Sequence, residues 1–409
     1  MGVGVRVAVL SLHTSPLVQP GSGDSGGMNV YARELVSSLA QAGVHGDVYT
    51  RRWADHLPDV VDVEPGFRVL HIPAGRVGLP KDALSDVVDE FADGVAAHLT
   101  GRDAVDVLHA NYWLSGIVGH RLKHELGLPL VSTFHTLARV KAETGDPEPE
   151  RRVAAEAQVI RCSDTIVASS TAEAAQLERL YGTDPARIEI VPPGVLHAFF
   201  SPGDRLGARS ALRHLGDLVG PVLLFVGRIQ PLKGLDVAVQ TLAMLRDPKA
   251  VLIVVGGASG PDGAAEAERV SKLTHDLGVG ERVRFVDPQP HHLLSTYYRA
   301  ADVVLVPSRS ESFGLVALEA AACGAPVVAA AVGGLRMLVE HGRTGFLVED
   351  RHPAAFAHHV ERLLDDPALA TEMGAQAADR ARGYTWSTAA GRLRRIYADL
   401  TTRVPVECV

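Results

Sequence analysis

Short runs of Val, Ile and Leu, each separated from the next by a helical stretch, recur along the whole chain and limit its fold more than any other feature. In the first half they are VRVAVLSL, HGDVYTRR, FRVLHIPA, DVLHAN, PLVSTFHT and TIVASS; in the second, PVLLFVGRI, AVLIVVGG, VRFVDPQ, DVVLVPS and PVVAAAVGG. Strands that are apolar throughout, with helices between them, suit a parallel sheet covered on both faces. Two doubly wound, parallel-sheet α/β domains are therefore expected. The Pro/Gly-rich stretch VPPGVLHAFFSPGD, residues 191–204, reads as the linker and puts the boundary near residue 200. At 409 residues, 46% of them hydrophobic, the chain can bury two cores.

Several function classes are set aside at this level. A formal net charge of −8 argues against nucleic acid or an anionic membrane as the main partner. No apolar segment approaches the ~20 residues that span a bilayer. The opening MGVGVRVAVLSL reads as a first strand, since it lacks a small-residue cleavage site and Arg6 spoils a myristoylation pattern. Cys162, Cys323 and Cys408 are far apart, odd in number and without CxxC or Cys/His spacing, so neither a disulfide framework nor a zinc site is expected. A reducing cytoplasm fits that cysteine usage.

Chemistry-bearing residues gather after predicted strands. In GSGDSGG, Gly21, Gly23, Gly26 and Gly27 precede an amphipathic helix, where free N–H groups suit a phosphate, although a flexible connection explains them equally well. The spacing is neither GxGxxG nor a P-loop. In VGRIQPLKG, Arg228 and Lys233 stand at a strand's carboxyl end, where two cations would neutralise a diphosphate leaving group, or else lie solvated in a loop. In SRSESFGLVALEAAACG, the backbone of Phe313, Gly314 and Leu315 is placed to hold an anion at a helix start. Glu311 and Glu319, eight positions apart, suit hydroxyls on either side of it. Diol, diphosphate, diol describes a nucleotide sugar. In the first half, His135 and Thr136 end one strand and Asn111, Tyr112 and Trp113 another, as site or as core; Lys81 alone has only a surface reading. The arginines of GDPEPERR sit at a helix start, where the dipole disfavours them, so either an anionic partner or solvent balances them.

In this order, the glycine loop, His135-Thr136, Arg228 with Lys233, and the Glu311-x7-Glu319 spacing resemble the retaining GT-B glycosyltransferases of the family 4 type over essentially the full chain. LSLHTSPLVQPGSGDSGGMNVY, NYWLSG, GRIQPLKG and SESFGLVALEA are similar to the branch that moves N-acetylglucosamine from UDP to inositol 3-phosphate in mycothiol biosynthesis. The resemblance implies two Rossmann-like domains facing a cleft: an acceptor domain over 1–200, a nucleotide-sugar domain over 201–385, and a C-terminal helix over 386–409 crossing back to the first. It implies that Arg228 and Lys233 hold the diphosphate, Glu319 the ribose and Glu311 the transferred sugar, with Gly27, Phe313, Gly314 and Leu315 also on the donor. His135 would contact the sugar, and the departing diphosphate oxygen would take the acceptor's proton. No metal or other cofactor is implied, and a homodimer is expected only by analogy.

The same resemblance places Lys81, Tyr112, Thr136 and Arg152 around an acceptor phosphate, with Asn29 and Asn111 beside it. Three departures fall on this side. Ala110-Asn111 replaces the family's Ser-His, Ser-Thr-Phe precedes His135 where His-Thr-Ala is usual, and the loop before Lys81 is a residue short. An antibiotic-pathway relative is the alternative, joining a GDP- or UDP-sugar to a thiol such as ergothioneine or to an aminocyclitol. Gln289, near the expected base, does not choose uracil over guanine.

Overall fold

Every apolar run picked out above contains a strand in the computed structural model, which describes residues 4–21, 25–100, 104–260 and 262–408. Gly23 lies outside the described residues. The first sheet holds β1 (Arg6–Leu10), β2 (His45–Arg51), β3 (Val60–Glu64), β4 (Phe67–Ile72), β5 (Val107–Asn111), β6 (Leu130–Thr133), β7 (Thr165–Ala168) and β8 (Ile188–Ile190). Their spatial order is β3-β4-β2-β1-β5-β6-β7-β8. All neighbours pair in parallel except β3 with β4. The second sheet is parallel throughout: β9 (Val222–Val226), β10 (Val251–Val255), β11 (Val283–Val286), β12 (Val303–Val306), β13 (Val327–Ala330) and β14 (Gly345–Val348), in the order β11-β10-β9-β12-β13-β14.

Met1–Val18, Met28–Pro193 and Trp386–Val409 form one compact unit; Gln19–Gly27 and Gly194–Thr385 form the other. In the second unit the two faces of the sheet feed separate cores. Leu224, Ile253 and Val304 pack on one, with Phe200, Tyr298 and Leu318; Leu223, Leu252 and Leu305 pack on the other, with Leu242 and Phe356. Burial on both faces is why these strands are apolar without alternation.

In the first unit the helix Trp386–Leu400 buries Trp386, Ala389, Ala390, Leu393, Tyr397 and Leu400, an i, i+3, i+4 stripe. Tyr397 reaches His109 on β5, 2.6 Å from Nδ1, while Nε2 of the same ring lies 2.8 Å from Thr133 Oγ1. Burial pushes the His109 imidazole down to about 3, so it stays neutral and spends both nitrogens on these hydroxyls.

The cysteine expectation is overturned. Cys162 and Cys408 are joined as a disulfide with Cα atoms 5.1 Å apart, although 246 positions separate them in sequence. The tail is carried back to the end of the helix Glu150–Cys162, and Val406 N donates to Asp164 Oδ1 at 2.5 Å. No local spacing could report a pairing made by the fold. Cys323 is buried and unpaired.

Replacing Tyr397 by Phe leaves His109 Nδ1 buried without its partner, and a loss of about 1–3 kcal/mol in urea unfolding is expected. The unfolded imidazole takes a proton below about 6.5 and the folded one only near 3. The unfolded state therefore binds more protons in that window, so stability present above pH 6.5 is lost as pH falls towards 3. A pH series of midpoints for His109→Asn should show a shallower acid limb than the unchanged protein.

Candidate active site

The order in which strands are added reverses between β9 and β12 in the second sheet and between β1 and β5 in the first. The loops beyond the carboxyl ends of such strand pairs diverge and leave a crevice suited to a ligand. Apart from Lys81, Arg152 and Gln289, the described sequence-predicted site residues lie at the end of β5 or in the segments following β1, β5, β6, β9 and β12.

In the second unit Arg228 and Lys233 follow β9, and Glu311 follows β12. The two loops are stitched by Arg309 N donating to Leu232 O at 2.8 Å. Lys233 Nζ donates to Glu311 Oε2 at 2.7 Å, and Ser308 Oγ to the same oxygen at 3.3 Å. The lysine and the carboxylate are therefore already partners, half-buried and facing each other. An ammonium has three N–H donors, so Lys233 can keep Glu311 and still serve a phosphate oxygen. The Glu311 backbone is also pinned, its carbonyl accepting from Gly334 N at 2.9 Å. A Cβ on Gly333 would lie 1.8 Å from that carbonyl oxygen, so only glycine permits the approach.

Gly314 has φ 104° and caps the helix Leu315–Ala322. A side chain there would be strained and would meet Leu335 at 2.7 Å. Phe313 buries its ring against Tyr384, leaving its backbone as the part available to a ligand. Gly26 and Gly27, grouped with this unit, approach the same residues. A Cβ on Gly26 would sit 3.3 Å from Arg228 Nε, and one on Gly27 3.3 Å from Leu315 Cδ1.

Glu319 lies one helical turn further in and is 4% exposed. Tyr298 Oη donates to its Oε2 at 2.8 Å, and His291 Nε2 lies 2.6 Å from Oε1. Burial and the adjoining carboxylate push the Tyr298 hydroxyl well above its ordinary value, so it remains a donor. Sequence reasoning missed both partners: VDPQPHHLL, residues 286–294, drew attention as the region near the base only through Gln289, whose side chain turns back onto Asp287 O at 2.9 Å.

In the first unit, the expected acceptor residues converge. Arg152 is 3% exposed and donates through Nη1 to Tyr112 Oη at 3.2 Å and through Nη2 to Thr136 Oγ1 at 3.0 Å. Its Cζ lies 5.1 Å from the centre of the Tyr112 ring, and Lys81 Nζ lies 5.9 Å from the same ring. The solvated reading of the helix-start arginines fits only Arg151, which is exposed. Glu156, fully buried, takes Arg152 Nε at 2.8 Å, while Glu148 lies 2.7 Å from Nη1 and also pairs with Lys141. Neither carboxylate stood out in the sequence, although Arg152 and Glu156 have the i,i+4 spacing that marks a helix pair.

His135 holds φ +61° at the end of β6 and sits 2.8 Å from Asn111 Oδ1 through Nε2. Tyr31 packs edge-on to it at 4.7 Å. Desolvation, then His109, pushes the imidazole down to about 3. A ring so weakly basic is a neutral hydrogen-bonding group at neutral pH and a poor general base. Asn29 is buried and spends Nδ2 on Thr14 Oγ1 at 2.6 Å and Ser15 O at 2.7 Å, so it shapes the loop after β1.

Comparison with known proteins shows the family. Residues 26–194 match the model described as "Glycosyl transferase 4-like domain", and 217–380 that described as "Glycosyl transferases group 1". A D-inositol 3-phosphate glycosyltransferase of Actinosynnema mirum is 46% identical, with 96% of each chain covered. One from Xylanimonas cellulosilytica is 48% identical with 98% of each covered. Among solved structures, a sucrose-phosphate synthase from Thermosynechococcus elongatus superposes with a TM-score of 0.90 at 33% identity, covering 97% of this chain and 99% of that one. The HepE protein of Anabaena, in complex with UDP-glucose, shares the fold at a TM-score of 0.77 and 20% identity, with 96% and 99% covered. The chain belongs to the family of GT-B, family 4 nucleotide-sugar glycosyltransferases that includes these D-inositol 3-phosphate enzymes.

Proposed function

We propose that this enzyme transfers a sugar, with retention, from a UDP-N-acetylglucosamine-like donor to inositol 3-phosphate or a close anionic acceptor. The observation that carries the reading is Arg152 donating to the Tyr112 and Thr136 hydroxyls with Lys81 over the Tyr112 ring, in a chain 46% identical to enzymes named for that acceptor. Two cations and two hydroxyls match a phosphate's oxygens in number and charge. Glu156 holds the guanidinium from behind, and Glu148 at 19% exposure is the carboxylate an incoming phosphate would displace.

On the donor side, Arg228 and Lys233 meet the diphosphate, the backbone of Phe313, Gly314 and Leu315 adds N–H donors, Glu311 takes sugar hydroxyls and Glu319 the ribose. As the glycosidic bond breaks, negative charge grows on the leaving phosphate, and two fixed cations favour that state over the ground state. The departing oxygen then takes the acceptor's proton on the face it leaves, which yields retention without a protein nucleophile. His135, neutral, orients the sugar.

Arg228→Ala and Lys233→Ala should each cost about 100-fold or more in kcat/KM with urea midpoints little changed. Near-normal turnover in either would remove the proposed charge stabilisation. Lys81→Ala and Arg152→Lys should raise the acceptor's KM by about 10–100-fold, the worth of a charged hydrogen bond, while the donor's KM holds. Equal rises for both substrates would refute the acceptor assignment. A mass-spectrometric screen crossing UDP- and GDP-sugars with inositol 3-phosphate, ergothioneine and aminocyclitols should give product from UDP-N-acetylglucosamine and inositol 3-phosphate. Product only from another pair would make Ala110-Asn111 the mark of a recruited acceptor site.

A further inference from the structure

Four metal-ligating side chains meet at the far end of the first unit, apart from every residue discussed as site. His120 and His124 come from the helix Trp113–Leu126, Cys162 ends the helix Glu150–Cys162, and Cys408 belongs to the C-terminal tail. One ligand atom from each lies within 4.8 Å of the other three. We infer that, with its two cysteines reduced, the chain binds one zinc ion here in a closed, tetrahedral His2Cys2 site.

A disulfide accounts for the two sulfurs but gives the histidines no reason to converge on them. Residues four apart share a helix face, so His120 and His124 point the same way, and their rings are 4.8 Å apart. His124 Nε2 is 3.1 Å from Cys408 Sγ. Zinc bonds of about 2.0–2.3 Å in a tetrahedron set ligand atoms roughly 3.3–3.8 Å apart. Parting the sulfurs from a disulfide to that spacing requires a shift of less than about 2 Å. The tail can supply it, because Arg403 and Val404 are exposed, Val404 at 88%, on the chain leading to Cys408.

The frame around the four ligands is built. Lys123, between the two histidines, donates to Cys162 O at 2.9 Å and to Asp164 Oδ2 at 2.7 Å, as a buried pair. Asp164 in turn takes Leu130 N at 2.6 Å and Val406 N at 2.5 Å, holding β6 and the tail to the same point. Two thiolates cancel the charge of one zinc ion, so the half-buried site is neutral overall. On binding, the two thiol protons leave to solvent and four protein ligands fill the tetrahedron, so no position stays open for catalysis. His124 lies twelve residues along the helix from Tyr112, about 18 Å at helical rise, and the bound ion is expected to fasten the tail rather than touch the reaction.

The test reduces the full-length enzyme with a phosphine, removes metal with a chelator under inert gas, and titrates it with cobalt(II). One cobalt per chain is expected, with tetrahedral ligand-field bands and a thiolate charge-transfer band, all displaced by zinc. Cys408→Ser should weaken binding about tenfold or more and reduce the charge-transfer intensity, and His124→Ala should weaken binding while keeping that band. Zinc should raise the melting temperature of the reduced protein, and glycosyl transfer by Cys408→Ser should match the unchanged enzyme. Fully reduced thiols without a thiolate-to-cobalt band would overturn the proposal and leave a disulfide alone. An unaltered cobalt spectrum and affinity in both variants would overturn it too, by locating the metal elsewhere.

Discussion

Where β1 lies beside β5, and β9 beside β12, the chain leaves neighbouring strands in opposite directions, and this one feature of parallel pairing decides where chemistry can sit. Loops beyond those carboxyl ends carry Asn111 and Tyr112 in one unit and Arg228, Lys233 and Glu311 in the other. Strand interiors have no freedom to hold such groups, since both sheet faces are packed. A polar side chain inside a strand, as His109 is, is spent on buried partners, and positive φ appears where pairing stops or a helix begins: Tyr112 at φ 76° and His135 at φ 61° follow strand ends, and Gly314 at φ 104° precedes a helix. Positive φ in two bulky residues is costly and is sustained by the bonds around them, Tyr112 N to Thr133 O and His135 Nε2 to Asn111 Oδ1.

The strands that buried both faces were readable from their apolar runs. Three others were not, and each is at or beside an edge of its sheet: β3 has no fully buried residue, β8 is three residues long, and β14 is a four-residue strand beginning with glycine. An edge strand packs on fewer neighbours, so composition is less constrained and the signal fades. The site divided in the same way. Residues on strand ends announce themselves through their position after an apolar run, as Arg228, Lys233 and His135 did. Arg152, Lys81 and Asn29 carried no such signal and were placed by resemblance to a family. Partners that lie far away in sequence left no local trace: His291 and Tyr298 on Glu319, Tyr397 on His109, and Cys408 on Cys162.

Two buried cations of the first unit, Arg152 and Lys123, are each held from behind by a buried carboxylate. Arg152 rests on Glu156, itself fixed by Tyr181 Oη at 2.5 Å and by Ala138 N at 2.8 Å. Lys123 rests on Asp164 in the same manner. Removing the hidden partner would strand a charge in the interior, which is why such pairs are weak evidence for stability yet strong evidence that a cation must stay at a given point. For Arg152 that point is beside Tyr112 and Thr136.

The two glutamates eight positions apart differ for the same reason. Glu319 is set in a helix, buried, and bonded through both oxygens to Tyr298 and His291, so its geometry is settled before any ligand arrives. Glu311 stands in the loop that precedes the helix, half-buried, with one oxygen shared by Lys233 and Ser308. A carboxylate of the first kind can read a fixed group and exact little reorganisation. One of the second kind, less deeply buried, can shift together with its lysine. Because the helix begins only after Gly314, Glu311 is fixed by loop contacts, its carbonyl to Gly334 N and its carboxylate to Lys233, while the alanine-rich turns that follow bury Glu319.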